Sequence, residues 1–476
     1  MTLPGLAARS LLNRRASAVL TVATIAIAIA LVVLVEQMRL QLREGFYRSV
    51  SGTDLIVGAP TSPVQLLLFS VFGIGNPSAN LDHDRYLELA ADPLVEWAVP
   101  IALGDAYRGY RVVGTSAAMF ERYRYAGGRA LLFAEGAGFD DLFDAVAGAA
   151  VARRLGLAPG DAIVLAHGGG NVSLHRHEAQ PFRVSGVLAA TGTPVDQAIY
   201  IRIDAHHAVH IGWERGMPEP ARMLDPDQAR ALLAAAAREH DEAHEHAPES
   251  DSNDHATSDR IEGASAATAL NEHDHEDDHE HQHSPSPGAV LEPSQVSAVL
   301  LGLKTRASAL GLQYRLNQER ERPLLAILPG LALQQLWRIT GLAEQVLRVV
   351  SGLVVLAGLM GMLTALLGSL AERRREMAIL RACGARPWQV AWLLLVEAGL
   401  LTALGIAAGL LLAWAAQLAL APWLLNQFGI ALAPTWPAAW QWLVLAGIWV
   451  CGLLVALLPA VMVYRRTLND GMQIRS

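Results

Sequence analysis

The chain has 476 residues, of which 52% are hydrophobic and only 17% charged, with a mean hydropathy of +0.29 and a formal net charge of −8. A soluble domain carries about 25% charge, so a purely soluble protein is excluded. No basic stripe appears away from the long apolar runs, which excludes a nucleic-acid partner.

Arg9, Arg14 and Arg15 precede Ala16–Val35, a run of 20 residues without charge. About 20 apolar residues cross a bilayer as a helix, whereas the core of a cleaved leader is roughly 7–15 residues. Glu36-Gln37-Met38-Arg39 offers no small-residue cleavage site, so the run reads as an uncleaved anchor. Arg39–Ser49 continues as helix beyond it.

From Asp54 the pattern changes. DLIVGAP, RGYRVVGT, GDAIVLAH, FRVSGVL and AIYIRI are short β-rich runs bounded by Gly, Pro and Asp. Helical pieces are expected between them at His83–Ala91 and Ala145–Leu157, and again at Ser294–Leu310 and Leu324–Leu347, the last running into a second span. A mixed α/β domain of about 300 residues can fold on its own core. The cysteines, Cys383 and Cys451, both lie outside it, so it holds no internal disulfide.

Fifteen of the sixteen histidines lie between His167 and His283. Residues 238–283 hold nine His, fifteen Asp or Glu and two Arg. Such a segment buries too little apolar surface to fold alone and reads as a disordered insertion. Alternating imidazole and carboxylate suits Zn²⁺, Cu²⁺ or Ni²⁺ in several exchanging sites. The candidate ligands are His240, His244, His246, His273, His275, His279, His281 and His283. The competing reading is a solvating linker. His175 with His177, and His206-His207 with His210, read as ordinary surface histidines that can add ligands.

Val349–Ala371 is the second span, between Arg348 and Glu372. Between Glu397 and Arg465 no charged residue or histidine occurs over 67 residues, enough for two more spans broken at Asn426–Pro437. Trp423, Trp436, Trp440 and Trp442 flank that break as an interfacial belt would. The third and fourth spans are then roughly 388–418 and 440–464. Small residues recur, with Gly352, Gly358, Gly361 and Gly368 in the second span and Gly405 and Gly409 in the third, where they let helices approach. Glu397 reads as a carboxylate near the cytoplasmic interface.

The stretch ERRREMAILRACGARPWQV, residues 372–390, carries Arg373, Arg374, Arg375, Arg381 and Arg386. Positive loops stay in the cytoplasm. Both termini are then cytoplasmic and the domain from Met38 to about Ala343 lies outside. Met377, Ile379, Leu380 and Ala382 set apolar contacts among the arginines, with Gly384 a stop and Pro387 a restart.

This architecture resembles the MacB/FtsX/LolC class of ABC-transporter permeases. The likeness is carried by Glu376, Ile379, Leu380, Arg381, Ala382, Gly384 and Ala385 in the loop, by Glu397, Gly399, Gly405 and Gly409 in the third span, and by GTDLIVGAP, RVVGT, VARRLGLAPGDAIVL and FRVSGVLAATGTPVDQAIYIRI in the domain. Ala378 stands where Gly is usual and Cys383 where an aliphatic is usual. The resemblance implies four transmembrane helices with a large mixed α/β extracytoplasmic domain between the first two. It implies an inner-membrane homodimer and a separate cytoplasmic ATPase docked on Glu376, Met377, Ile379, Leu380, Arg381, Gly384 and Ala385. A periplasmic binding or adaptor protein is a further candidate partner. The chain lacks GxxxxGK[ST] and its only lysine is Lys304, so ATP hydrolysis is expected in the partner; no cofactor is required, and zinc or another divalent transition metal is a candidate ligand of the insert. The alternative function is a metal-sensing or metal-chaperone receptor on the same scaffold, without transport. A membrane-anchored enzyme is disfavoured, because no nucleophile–base constellation is visible.

Overall fold

The computed structural model describes residues 15–167, 180–212, 223–245, 293–372, 386–428 and 433–470. The Arg-rich stretch 373–385 and residues 246–292 of the His/acid tract lie outside the described residues.

A long helix, α1 (Arg15–Val50), is followed by β1 (Leu55–Gly58), α2 (Pro63–Val71), β2 (Leu81–Asp82), α3 (His83–Ala90), β3 (Val95–Tyr107) and β4 (Tyr110–Thr115). Next come α4 (Ala118–Arg122), β5 (Arg124–Tyr125), β6 (Arg129–Ala130), β7 (Phe133–Gly136), β8 (Asp144–Ala147), α5 (Ala149–Leu155), β9 (Ala162–Ile163) and β10 (Ala166–His167). The domain continues through β11 (Phe182–Leu188), β12 (Ala198–Arg202), α6 (Ile203–Ala208), α7 (Pro226–Glu245), β13 (Gln295–Val296), β14 (Ala298–Leu303), α8 (Ala309–Asn317) and β15 (Leu325–Ile327). Three long helices follow: α9 (Pro329–Glu372), α10 (Pro387–Phe428) and α11 (Ala439–Asp470). With α1 they are the four helices long and apolar enough to cross a membrane among the described residues. The mixed α/β domain between the first and second of them matches the expected fold class.

One mixed sheet organises the domain, in the order β15-β1-β14-β3-β4-β12-β8-β11-β7. The β4–β12 and β8–β11 pairs are parallel and the other pairs antiparallel. Side chains alternate between its faces, as the two-residue period of a strand requires. Ile56, Val146, Ala198, Tyr200 and Leu300 join one core with α2, the end of α1 and the start of α9. Their neighbours Ala145, Ala147, Ile199 and Ile201 join a second core under α6 and α7. Leu55, Val57, Val299 and Leu301 join a third, under α3 and α8. The sheet is thus covered on both faces, which accounts for its apolar strands.

Local signals set several boundaries. Ser62 caps α2 by accepting from Gln65 N at 3.1 Å, and Pro63 follows at the first helical position. Gly156 closes α5 at φ +68°, a left-handed cap that suits glycine.

Three helix expectations are corrected. Asp144–Ala147 is a strand between β11 and β12, so helix begins only at Ala149. Ala298–Leu303 is a strand buried along its whole length and paired with β1 and β3, preceded by the short strand Gln295–Val296. A short apolar run buried on both faces has no period that separates strand from helix. Helix in the Leu324–Leu347 stretch likewise starts late, at Pro329, after β15. The first part of the expected insert, 238–245, continues helix α7.

Candidate functional site

Two helices tie the membrane segments rigidly to the sheet domain. Helix α9 has 44 residues, about 66 Å at 1.5 Å per residue, roughly twice the hydrocarbon thickness. Pro329 starts it two residues after β15, and Ala332 and Leu333 of its first turn are buried in the domain core. Its far end, Glu372, adjoins the Arg-rich stretch. Helix α1 enters the same core through Val50. Phe46 of α1 stacks on Phe72 at 4.3 Å and meets Trp337 of α9 edge-on at 5.4 Å. The buried Tyr123 hydroxyl donates to Ser49 O at 2.5 Å, and burial pushes its phenol pKa up.

The helices are also joined to each other. Arg39 of α1 pairs with Glu36 at 2.5 Å and with Glu344 of α9 at 2.9 Å. Gln417 of α10 donates to Gln37 of α1 and, at 3.3 Å, to Ala413 O, while Gln37 donates to Thr435 O at 3.1 Å. Where lipid offers no competing partners, such amide contacts fasten helix to helix. Lower in the bundle Gly405 and Gly409 of α10 lie against Ile25 and Ile29 of α1. Glu397 is buried on α10 at 4% exposure. Bonds cross from the domain as well, with Gln197 donating to Leu425 O of α10 at 3.1 Å.

A second arrangement lies on the opposite face of the sheet. In β3, Leu103 pairs with Val113 and Ala106 with Arg111, so Gly104 and Asp105 together face the single residue Val112. This two-against-one count is a β-bulge, a device that re-aims a side chain. The bulge turns Asp105 toward α6, which follows β12 and packs back over β3 and β4. His206 lies on α6 and His210 in the turn two residues past its end. A Cβ added at Gly114 would sit 2.9 Å from His206 Cβ, and one at Gly104 would sit 3.6 Å from His206 Nε2. Gly114 therefore makes room for His206, whereas a Cβ at Gly104 would meet the imidazoles only in ordinary contact.

The Asp105 side chain has no exposed surface, and its oxygens lie 3.8 Å from His206 Nε2 and 3.6 Å from His210 Nε2. The imidazole rings are 4.7 Å apart. His210 Nδ1 donates to the His206 carbonyl at 2.5 Å. Burial alone would lower the His210 pKa, but Asp105 and that carbonyl outweigh it and raise it above the ordinary imidazole value. The three groups could together hold a metal ion. Strand β10 adds His167 opposite Asp105 in register.

His206 and His210 are therefore not ordinary surface histidines: both lean on a buried carboxylate. Asp105 was not legible as a candidate, although a Gly-Asp pair inside a strand is a signal for a bulge. His175 and His177 lie outside the described residues. So do Glu376, Met377, Ile379, Leu380, Arg381, Gly384 and Ala385, together with His246, His273, His275, His279, His281 and His283. His240 and His244 fall on α7, which is anchored to the domain by the buried Ala229 and by Arg230, 2.9 Å from Asp141.

A family model of the MacB-like periplasmic core domain matches residues 18–240, and one of the FtsX-like permease C-terminal region matches residues 348–468. The crystal structure of the periplasmic region of MacB from Actinobacillus actinomycetemcomitans is similar over 61% of this chain and 97% of that chain, at 8% identity and a TM-score of 0.29. The assignment rests on the two family models, which flank the His/acid tract. No curated protein matches the chain in sequence. The chain belongs to the MacB/FtsX family of ABC-transporter permeases, multi-pass subunits of the inner membrane.

Proposed function

We propose that this chain is the force-transmitting subunit of an ABC transporter, working as a homodimer with two copies of a separate cytoplasmic ATPase. Glu376, Met377, Ile379, Leu380, Arg381, Gly384 and Ala385 dock on the ATPase, and both termini lie on its side of the membrane. ATP-driven closure shifts α9 and α1, and the motion reaches the domain at 38–343 on the periplasmic side. The observation that carries this reading is the unbroken α9, whose first turn is buried in the domain core and whose last residues adjoin the coupling stretch. A continuous helix passes displacement along its axis, because each turn is hydrogen-bonded to the next.

The cargo side of the reading is metal handling, with zinc first, through the histidines of 240–283. His240 and His244 start that tract at the end of α7. A metal-sensing receptor without transport is the second reading, favoured by the same histidines, and it requires no ATPase.

Affinity-tagged chain isolated from membranes of its native host should bring an ABC ATPase with it. Leu380→Glu and Arg381→Glu should lose the ATPase while keeping the protein monodisperse. Recovery of no ATPase, with or without a non-hydrolysable ATP analogue, would refute the coupling and leave the receptor reading.

A further inference from the structure

We propose that Asp105, His206 and His210 form a binding site for one divalent transition-metal ion of the zinc class, built into the folded domain and separate from the His/acid tract. This deepens the metal-handling reading, on which its physiological meaning rests.

The spacing carries the argument first. Two donors on a tetrahedral ion, each about 2.0–2.1 Å from it, lie roughly 3.3–3.4 Å from each other. The Asp105 oxygens stand 3.6 and 3.8 Å from the two Nε2 atoms. These are longer than hydrogen bonds, whose mode is about 2.9 Å. One donor atom from each of the three residues lies within 4.8 Å of the other two, so modest side-chain rotation brings them to the spacing of a single ion.

Orientation comes next. A backbone carbonyl can only accept, so His210 Nδ1 must carry its proton toward the His206 carbonyl. In the neutral ring the lone pair is then on Nε2, which faces the Asp105 carboxylate. A proton on Nε2 or a metal ion held there each supplies the positive charge between that lone pair and the carboxylate, and metal titration separates the two. An outer hydrogen bond that sets the tautomer of a ligating histidine is the usual support of a metal site.

The site is also excavated. Gly114 leaves the space that His206 occupies, and the bulge of β3 turns Asp105 toward it. Two imidazoles and one carboxylate suit Zn²⁺, Co²⁺, Ni²⁺ or Cu²⁺ rather than Mg²⁺ or Ca²⁺, which prefer all-oxygen shells. Three protein ligands leave a fourth position for water or an incoming donor, the arrangement of an exchangeable rather than a closed site. Gly104 and Asp105 also line a cavity of about 790 Å³ beside α2, with Arg108, Arg111 and Arg154. One stretch of backbone thus serves both.

The experiment uses full-length protein in nanodiscs, stripped of metal, beside a full-length variant whose nine histidines of 240–283 are glutamine. Zn²⁺ is titrated by calorimetry and Co²⁺ by its visible spectrum. The tract variant should keep one equivalent per chain with micromolar or tighter affinity and the intense bands of tetrahedral Co²⁺. Asp105→Asn and His210→Gln in that background should each weaken binding at least tenfold, with the metal-free melting curve unchanged. X-ray absorption of the Zn²⁺-loaded tract variant should show two imidazoles, a reading that stands even where a substitution impairs folding. Loss of all binding in the tract variant would overturn the site and leave metal handling to the tract. Undiminished binding by Asp105→Asn and His210→Gln, or a zinc shell without imidazole, would overturn it too.

Discussion

Gly405 and Gly409 set the distance between α1 and α10. A Cβ at Gly409 would lie 2.7 Å from Ile29 Cβ and 2.8 Å from Ala26 O, and one at Gly405 would lie 2.5 Å from Ile25 Cγ2. Ordinary contact begins near 3.4 Å, so Gly409→Ala must push the helices apart by about 0.7 Å, because a backbone oxygen and a β-branched Cβ cannot rotate away. A gap of that size forfeits a quarter to a half of each dispersion contact along an interface that buries Ile25, Ala26, Ile29, Ala30 and Val33. Overpacking of this kind costs about 1–3 kcal/mol, offset by up to about 1 kcal/mol from the better helix propensity of alanine. One displacement relieves both sites, so Gly405→Ala/Gly409→Ala should cost less than the sum of the single changes. Gly361 on α9 has nothing within 4 Å of an added Cβ, and Gly361→Ala should be neutral or stabilising. The assay is thermal unfolding in one detergent, followed by tryptophan fluorescence, with Gly361→Ala as the reference. Gly409→Ala should melt several degrees lower. Equal melting of Gly409→Ala and Gly361→Ala would refute the close-approach argument.

Asp196, 1% exposed, accepts from Thr191 N, Thr191 Oγ1 and Gly192 N at 2.8–2.9 Å. Asp196→Asn turns one acceptor into a donor facing N–H groups and should cost about 1–3 kcal/mol, read as a lower melting temperature against the exposed control Asp227→Asn. Burial pushes the Asp141 pKa up, but the Arg230 guanidinium outweighs it and holds the carboxyl below its usual range. A depressed folded value contributes stability above the unfolded value, about 3.9, and loses it as pH falls through the folded one. The stability gap between wild type and Arg230→Met should therefore be present at pH 7 and close below about pH 4. A gap independent of pH, measured by urea unfolding, would contradict this.

Much of the membrane architecture was legible because lipid imposes a rule on the sequence itself: a span must be long, apolar and uncharged. Ala16–Val35 and the uncharged run between Glu397 and Arg465 meet it without reference to any neighbour. The β-rich runs with glycine and aspartate at their ends announced a sheet domain for a similar reason, since period and punctuation are local. Strand identity at Ala298–Leu303 was not local: β1 and β3 on either side decide it, and a run buried on both faces carries no period.

The acid–histidine cluster depended wholly on tertiary structure. Asp105 and His206 are far apart in the chain, and three things join them: the parallel pairing of β12 with β4, the return of α6 over the sheet, and the bulge that turns Asp105 toward it. Composition drew attention to the histidines that were most numerous, those of 238–283. Burial beside a carboxylate, which gives His206 and His210 their chemistry, is a property of the fold and leaves no mark in the spacing of the residues. The sequence by itself determined where the chain meets lipid, because that contact is made residue by residue with a uniform solvent. Only the tertiary structure decided which distant polar groups meet inside the domain, because that follows from strand order and register.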